Sequence, residues 1–455
     1  MKADILIVGG GASGLLAAYG AAKTLVDRHS DAQVTLLEKM PRPARKMMIT
    51  GKGRCNFSNM KPWNDFSTHV RTKAAFVKPA FFNLPGVAVR DLLESYGLQT
   101  VVERGDRAFP ASYRASDVID TLVSAARSYG VKIETEWPVA GVSCADGLFS
   151  ACAADGRSYS ARRIILATGG LSYPGTGSTG DGYAWAQAFG HRIRPCFPSL
   201  TALVPKGYKE ETPRAERWHI DRSTPLSELG RSLCGVQLKN IQLSLSIDGN
   251  PVATESGDID FTDGGIEDPV GFQLSRQAVK ALVNGSRARL TLDLKPGVDL
   301  TALTERIHAL WKEVDGDPRS RRLHEKEKCR ILLGKLLPWE LIPGFRACHP
   351  GILTYERRSR TETKVWVNLL DIAKALKAWD FDLAGCVGYE RAVVTAGGVD
   401  TDEVFPKTME SRIVPGLYFC GELLDIDSDT GGYNLQTAFS TGFLAGQHAA
   451  GSLLP

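Results

Sequence analysis

Ile5-Leu6-Ile7-Val8 is an unbroken aliphatic run without polar alternation, the pattern of a parallel strand buried on both faces. It leads into Gly9-Gly10-Gly11-Ala12-Ser13-Gly14 and then into an Ala/Leu-rich stretch that predicts a helix to about Val26. Val34 to Glu38 reads as the next strand, so residues 4–38 form one βαβ unit. Arg163 to Ala167 repeats the buried-strand pattern and ends in Thr168-Gly169-Gly170. Near the C-terminus the order returns: Leu417 to Cys420, then Gly421-Glu422, a glycine pair, and a helix from about Asn434 to Ala449. The middle differs. From about Leu200 to Asp293, alternations such as Leu243-Ser244-Leu245-Ser246-Ile247, separated by turns such as Asp248-Gly249-Asn250, predict antiparallel β structure. Residues from about 299 to 345 turn helical and charged, and the run Arg319 to Arg330 reads as a solvated face rather than a binding patch. The order predicts an α/β fold whose first domain is split in sequence around a two-part insert.

Composition narrows the class. At 455 residues the chain exceeds one ordinary domain, and 43% hydrophobic with 23% charged residues is a globular balance. A net charge of +4 and the lack of a basic-aromatic stripe in the sequence speak against nucleic acid as a partner. The nine cysteines form no CxxC pair, so a zinc ribbon, an iron–sulfur centre and a thioredoxin-like disulfide are not expected, and no metal site is predicted. The sequence has no stretch of ~18 apolar residues, so neither a membrane span nor a membrane partner is expected, and the cytoplasm is the expected compartment. Glycine stands out: 46 residues, about a tenth of the chain against a usual ~7%. Clustered glycine brings backbone close to something, often phosphate.

Gly9, Gly11 and Gly14 make G-x-G-x-x-G with a strand before, a helix after and an acid, Glu38, ending the second strand. In that setting the glycines allow a tight turn, close approach to a pyrophosphate, and helix–strand packing, while the acid accepts from ribose hydroxyls. Ala12 and Ser13 lie inside the turn and Lys39 follows the acid. A second match at Gly175, Gly177 and Gly180 lacks a strand directly before it and an acid after it, so it predicts no separate nicotinamide domain. Thr168-Gly169-Gly170 and Gly421-Glu422, each following a strand, resemble the elements by which two-dinucleotide flavoproteins pass FAD again. A helix starting near Gly432-Tyr433-Asn434-Leu435 could aim its N–H groups at the flavin N1–C2=O edge.

Through these motifs the chain resembles the bacterial FAD-dependent oxidoreductases called aminoacetone-oxidase-like, which include bile-acid enone reductases, and more distantly fumarate reductase flavoprotein subunits. The likeness is carried by Gly51-Lys52-Gly53-Arg54-Cys55-Asn56, Thr168 to Tyr183, Phe261 to Ile266, Val394 to Val399 and Met409 to Gly442. It implies a Rossmann-type FAD-binding domain (1–199 and 388–455), an inserted antiparallel β-barrel domain (200–298 and 350–387) and a small helical domain (299–349). It implies hydride transfer through non-covalent FAD on a small organic substrate roofed by the barrel, with NAD(P)H as a transient reductant. An amine oxidase using oxygen and an RNA-modifying flavoprotein are the alternatives. The residues it places on the cofactor are those of the glycine turn, Glu38, Lys39, Lys46, Gly51 to Asn56, Thr168 to Gly170, Asp181, Gly421, Glu422, Gly432, Asn434 and Leu435. Asp181 also suits a helix N-cap, Cys55 also suits a small buried filler, and the residues themselves assign no catalytic acid or base and no oligomeric state. Two departures from the family pattern stand out: Ser428 replaces a usual glycine, and Lys206 to Ser227 is a longer, more charged link.

Overall fold

The computed structural model describes residues 1–211, 217–357 and 363–454, and the chain divides into two compact units, 1–199 with 392–455, and 200–391. Part of the long link, residues 212–216, lies outside the described residues.

In the first unit the apolar runs become the middle of one sheet. Lys2–Val8 pairs in parallel with Val34–Leu37 on one side and Ser158–Leu166 on the other, and Val34–Leu37 pairs with Lys132–Glu134. The early part of Ser158–Leu166 pairs antiparallel with Leu148–Ala153, and its last residues take Leu417–Phe419 in parallel. Ile5, Leu6, Ile7, Ile164, Ile165 and Leu166 are fully buried, as strands covered on both faces must be. The carboxyl ends of four parallel strands, at Val8, Leu37, Leu166 and Phe419, emerge on one edge, where open α/β sheets bind ligands. The first helix, Ala12–Asp27, packs against the final helix, Tyr433–Gly451, with their backbones nearly touching: a Cβ on Gly442 would lie 2.1 Å from Ser13 O, and one on Gly446 2.0 Å from Ala17 O.

The second unit holds a closed six-stranded barrel in the order Leu203–Pro205, Gly265–Glu267, Asn250–Thr262, Gln237–Ile247, Ala288–Asp293 and Trp379–Cys386, every pair antiparallel. Alternation explains it: Leu243, Leu245, Leu290 and Leu292 point inward and are buried, while Ser244 bonds Thr254 on the outer face. The fold class expected from the sequence, a Rossmann-type FAD-binding fold with an antiparallel barrel and helices, is the one observed. The reading of 200–293 as β throughout needs correction at two helices, the short Glu228–Leu233 and a longer one. Asp268–Val283 is a helix that starts with Pro269 in its first turn and buries Val270, Leu274, Ala278 and Ala281, a helical period set inside a β-rich stretch. Helices Leu300–Gly316, Glu325–Gly334 and Ile342–Cys348 occupy the charged region.

Candidate cofactor site

The glycine turn does three different jobs. Gly9 adopts φ +105°, and a Cβ on it would lie 2.5 Å from Ala167 O, so only glycine lets these two strand ends close on each other. A Cβ on Gly14 would lie 1.9 Å from Gly9 O, which fixes the helix tightly on the turn. Gly11 has ordinary φ and would place its Cβ in open space, with nothing within 4 Å. It caps the first helix without a side-chain bond, so the N–H groups of Ala12, Ser13 and Gly14 have no acceptor within the helix. Those donors stand at the positive end of the helix dipole, beside open space.

Glu38 lies next to this turn and is already engaged. Its carboxylate accepts from Gly10 N–H and Met40 N–H, both at 2.8 Å, and burial holds its pKa above the ordinary value despite these bonds. An acidic side chain here therefore shapes the turn itself. Glu38→Ala is expected to lower the stability of the FAD-free protein by about 2–4 kcal/mol, since one buried and one half-buried N–H group lose their acceptor, at ~1–3 kcal/mol for a fully buried one. Glu38→Gln, which keeps one acceptor oxygen, should lose about half as much. Thermal melts with and without FAD check both effects; a Glu38→Ala melt matching the wild type in each would remove the residue from the turn and from the cofactor. Lys39 reaches Asp181, 2.7 Å away, and Thr179. Asp181 opens a helix whose N-cap is Gly180, so it is a first-turn residue paired with a lysine and not the cap itself.

A second group gathers at Glu422. Lys46 Nζ donates to its Oε2 at 2.6 Å, while Ser172 Oγ and Thr395 N–H both donate to its Oε1, at 2.5 and 2.8 Å. Lys46 also donates to Ser172 Oγ at 2.6 Å. Thr395 Oγ1 in turn accepts the N–H groups of Leu171 and Ser172, which shapes the backbone just after Gly169-Gly170. Nothing in the sequence singles out Ser172 and Thr395, although both fall within runs that carry the family likeness. Gly421 belongs to the same neighbourhood: its N–H donates to Thr441 Oγ1, and a Cβ on it would lie 2.4 Å from Ser13 Oγ.

The third group is the start of the final helix. Asn56 accepts from Gly432 N–H at 3.1 Å while donating to Ser58 O and Ala108 O. Gly432 is the N-cap at φ +94°, and a Cβ there would lie 2.3 Å from Ser58 O. Asn434 spends its side chain on the preceding loop, bonding Ser428 N–H, Ser428 O and Asp429 O, so only its backbone and that of Leu435 face the helix start with free N–H groups. Ser428 does not adopt positive φ, so replacing the family's glycine causes no backbone strain. Asp429, nearly fully buried, is neutralised by Arg71 through two bonds (2.5 and 2.6 Å) and touched by His69 at 2.9 Å. Lys52 is exposed, and Arg54 lies over the Phe109 ring and donates to Gly51 O. Cys55 is sealed, with burial pushing its thiol up to about 12, and Cys420 is sealed in the same way at about 12. Neither is a ready nucleophile or acid.

These observations fit a bound dinucleotide. The cradle at Gly11 is open, first-turn donors face it, and Thr168 Oγ1 and Thr437 Oγ1 are buried without a hydrogen-bond partner among the described residues. Residues 3–448 match the family described as HI0933-like protein Rossmann domain. The chain belongs to this family. It is 32% identical over 448 residues to the 3-dehydro-bile acid delta(4,6)-reductase of Clostridium scindens, covering 98% of each chain. It is 27% identical to the ribosomal RNA dihydrouridine synthase of Escherichia coli, covering 98% of this chain and 97% of the relative. Among solved structures it is similar to the 3-ketosteroid delta1-dehydrogenase of Sterolibacterium denitrificans, at 14% identity and a TM-score of 0.48, covering 99% and 100% of the two chains. As a member of the HI0933-like family the protein is an FAD-dependent oxidoreductase. No described helix is long and apolar enough to cross a membrane.

Proposed function

We propose that this HI0933-like protein reduces a carbon–carbon double bond conjugated to a carbonyl group, drawing its electrons from NAD(P)H. The observation that carries the reading is the pair of full-length relatives: a 3-dehydro-bile acid delta(4,6)-reductase and a dihydrouridine synthase both saturate an alkene that a neighbouring carbonyl polarises. Non-covalent FAD, when bound, supplies the two-electron chemistry. The chain's own groups then have defined work. The first-turn N–H groups of Ala12 to Gly14 hold the pyrophosphate, Glu38 orients the adenosine ribose, and the Lys46–Glu422–Ser172 group lines the path toward the reacting ring. The first turn of the final helix offers N–H donors and a positive dipole end to a carbonyl edge that gains negative charge. The sealed thiols of Cys55 and Cys420 favour a mechanism without a cysteine acid or nucleophile.

Anaerobic stopped-flow mixing tests the reading. NADH or NADPH is expected to bleach the flavin, and a steroid 4-en-3-one or another conjugated ketone to restore its colour faster than oxygen does. Bleaching by a primary amine, with recovery only in oxygen, would replace this reading with amine oxidation.

A further inference from the structure

Two buried carboxylates stand just before the start of the final helix. Asp427 and Asp429 are 1% and 3% exposed, and the helix begins four residues after Asp429, at Tyr433. Asn434, in the first turn, donates to Asp429 O, so the loop and the helix start are tied together. Residues 69–72 hold this piece from one side. Arg71 N–H donates to Asp427 O and Asp429 N–H to His69 O, both at 2.9 Å, while Thr72 Oγ1 donates to Asp427 Oδ1 at 2.7 Å. The His69 ring lies flat on that of Tyr433, with centroids 4.2 Å apart and planes at 20°. Phe66 meets the same ring edge-on, at 5.1 Å.

The charge here is as organised as the packing. Burial, and after it the charges of Asp429, Asp106 and Asp65, push the Tyr433 hydroxyl up to about 12, so the helix start sits in an acidic surrounding. Arg71 answers Asp429 with both prongs of its guanidinium, Nε to Oδ1 at 2.5 Å and Nη2 to Oδ2 at 2.6 Å. A forked pair of this kind fixes the carboxylate and cancels its charge. A carboxylate near a helix start ordinarily stabilises the helix, because it meets the positive end of the dipole. Where that same end must receive charge from a carbonyl edge, an uncompensated carboxylate opposes it.

We propose that Arg71 sets the reduction potential of the bound flavin by cancelling the charge of Asp429 at the start of the final helix. Arg71 is a positioning residue: it acts through Asp429 and not on the substrate. The inference rests on the proposed function, in which the first turn of the final helix faces the flavin carbonyl edge, and it names the group that keeps this end positive.

The test is the midpoint potential of full-length, FAD-loaded variants, read by dye equilibration at about pH 9, where a histidine such as His69 does not take up a proton in place of the lost guanidinium. Arg71→Ala is expected to shift the reduction equilibrium about ten-fold toward oxidised flavin, the scale of one uncompensated charge at an effective dielectric of ~20. For a two-electron couple that is a fall of roughly 30 mV. Asp429→Asn leaves Arg71 unmatched and should raise the potential by a similar amount. Arg71→Ala/Asp429→Asn removes both charges and should return it close to the wild-type value, whereas a merely structural clamp, having lost both halves of the bonded pair, gives no such return. Breaking a buried pair is destabilising, so Asp429→Asn and the double variant carry the test should Arg71→Ala fail to fold. Potentials that stay at the wild-type value, or that move the same way in both single variants, overturn the proposal. Conjugated-ketone turnover by the wild type is read separately. Opposite shifts in a protein that reduces no conjugated alkene overturn the reductase reading and leave the role of Arg71 standing; unchanged potentials in a protein that does reduce one overturn only the role of Arg71.

Discussion

Gly14→Ala is expected to leave the first unit unfolded or insoluble, whereas Gly11→Ala, three residues earlier, is expected to fold and to lose FAD. The two glycines belong to one motif but face opposite ways. A methyl on Gly14 would lie 1.9 Å from Gly9 O, a backbone atom of a residue whose own Cα packs closely on Ala167. Alanine gains ~1 kcal/mol of helix propensity over glycine. A contact that short cannot be relieved by turning a side chain, so the first helix must slide off the sheet. Ordinary overpacking costs ~1–3 kcal/mol, and a clash between backbones exceeds it, against a typical total stability of ~5–15 kcal/mol. A methyl on Gly11 meets no protein atom within 4 Å, so the FAD-free variant should melt with the wild type. What that methyl occupies is the approach to the free N–H groups of the first turn. Losing one charge-assisted bond to a pyrophosphate removes ~1.5–3 kcal/mol, roughly ten- to a hundred-fold in Kd. Soluble yield and melting of the FAD-free proteins, followed by FAD titration, separate the two outcomes. A Gly11→Ala protein that binds FAD with wild-type affinity would mean the phosphates lie elsewhere.

How much of this is legible in the sequence depends on how far apart the cooperating residues are. The βαβ unit is legible because strands buried on both faces must be uniformly apolar, and because the turn after Val8 needs glycine where φ is positive. Glu38 is legible as a candidate ribose acceptor, but its bonds to Gly10 and Met40 are not, since a ribose role alone would account for an acid at that spacing. The partners of Glu422 are invisible. Ser172 lies 250 residues before it in the chain, and nothing local in that segment signals a carboxylate opposite. Helix Asp268–Val283 is hidden by its β-rich neighbours, although Pro269 followed by Val270, Leu274 and Ala278 carries a helical period. The pairings of Lys326 with Tyr355 and of Arg330 with Trp339 are likewise invisible in the sequence, because these residues meet only in the fold.

The close pairing of the first and final helices makes the second large expectation. Gly442 and Gly446, one turn apart, each bring a backbone Cα face onto the first helix, where a Cβ would lie 2.1 Å from Ser13 O and 2.0 Å from Ala17 O. Small residues at this spacing let helix backbones touch, and nothing between them can yield. Gly446→Ala is expected to cost about 3 kcal/mol net of its gain in helix propensity, a fall in Tm of roughly 5–10 °C for a unit of this size. Gly442→Ala should cost as much and also loosen FAD, because the residue it displaces, Ser13, sits inside the glycine turn and beside Gly421. The comparison isolates the coupling. Both substitutions push the helices apart, but only the one at Gly442 moves the donors that face the pyrophosphate. Melting of the FAD-free variants measures the first effect, and the FAD Kd of whatever remains folded measures the second. Equal loss of FAD affinity in both variants would show that the first helix moves as a rigid body and carries the glycine turn with it.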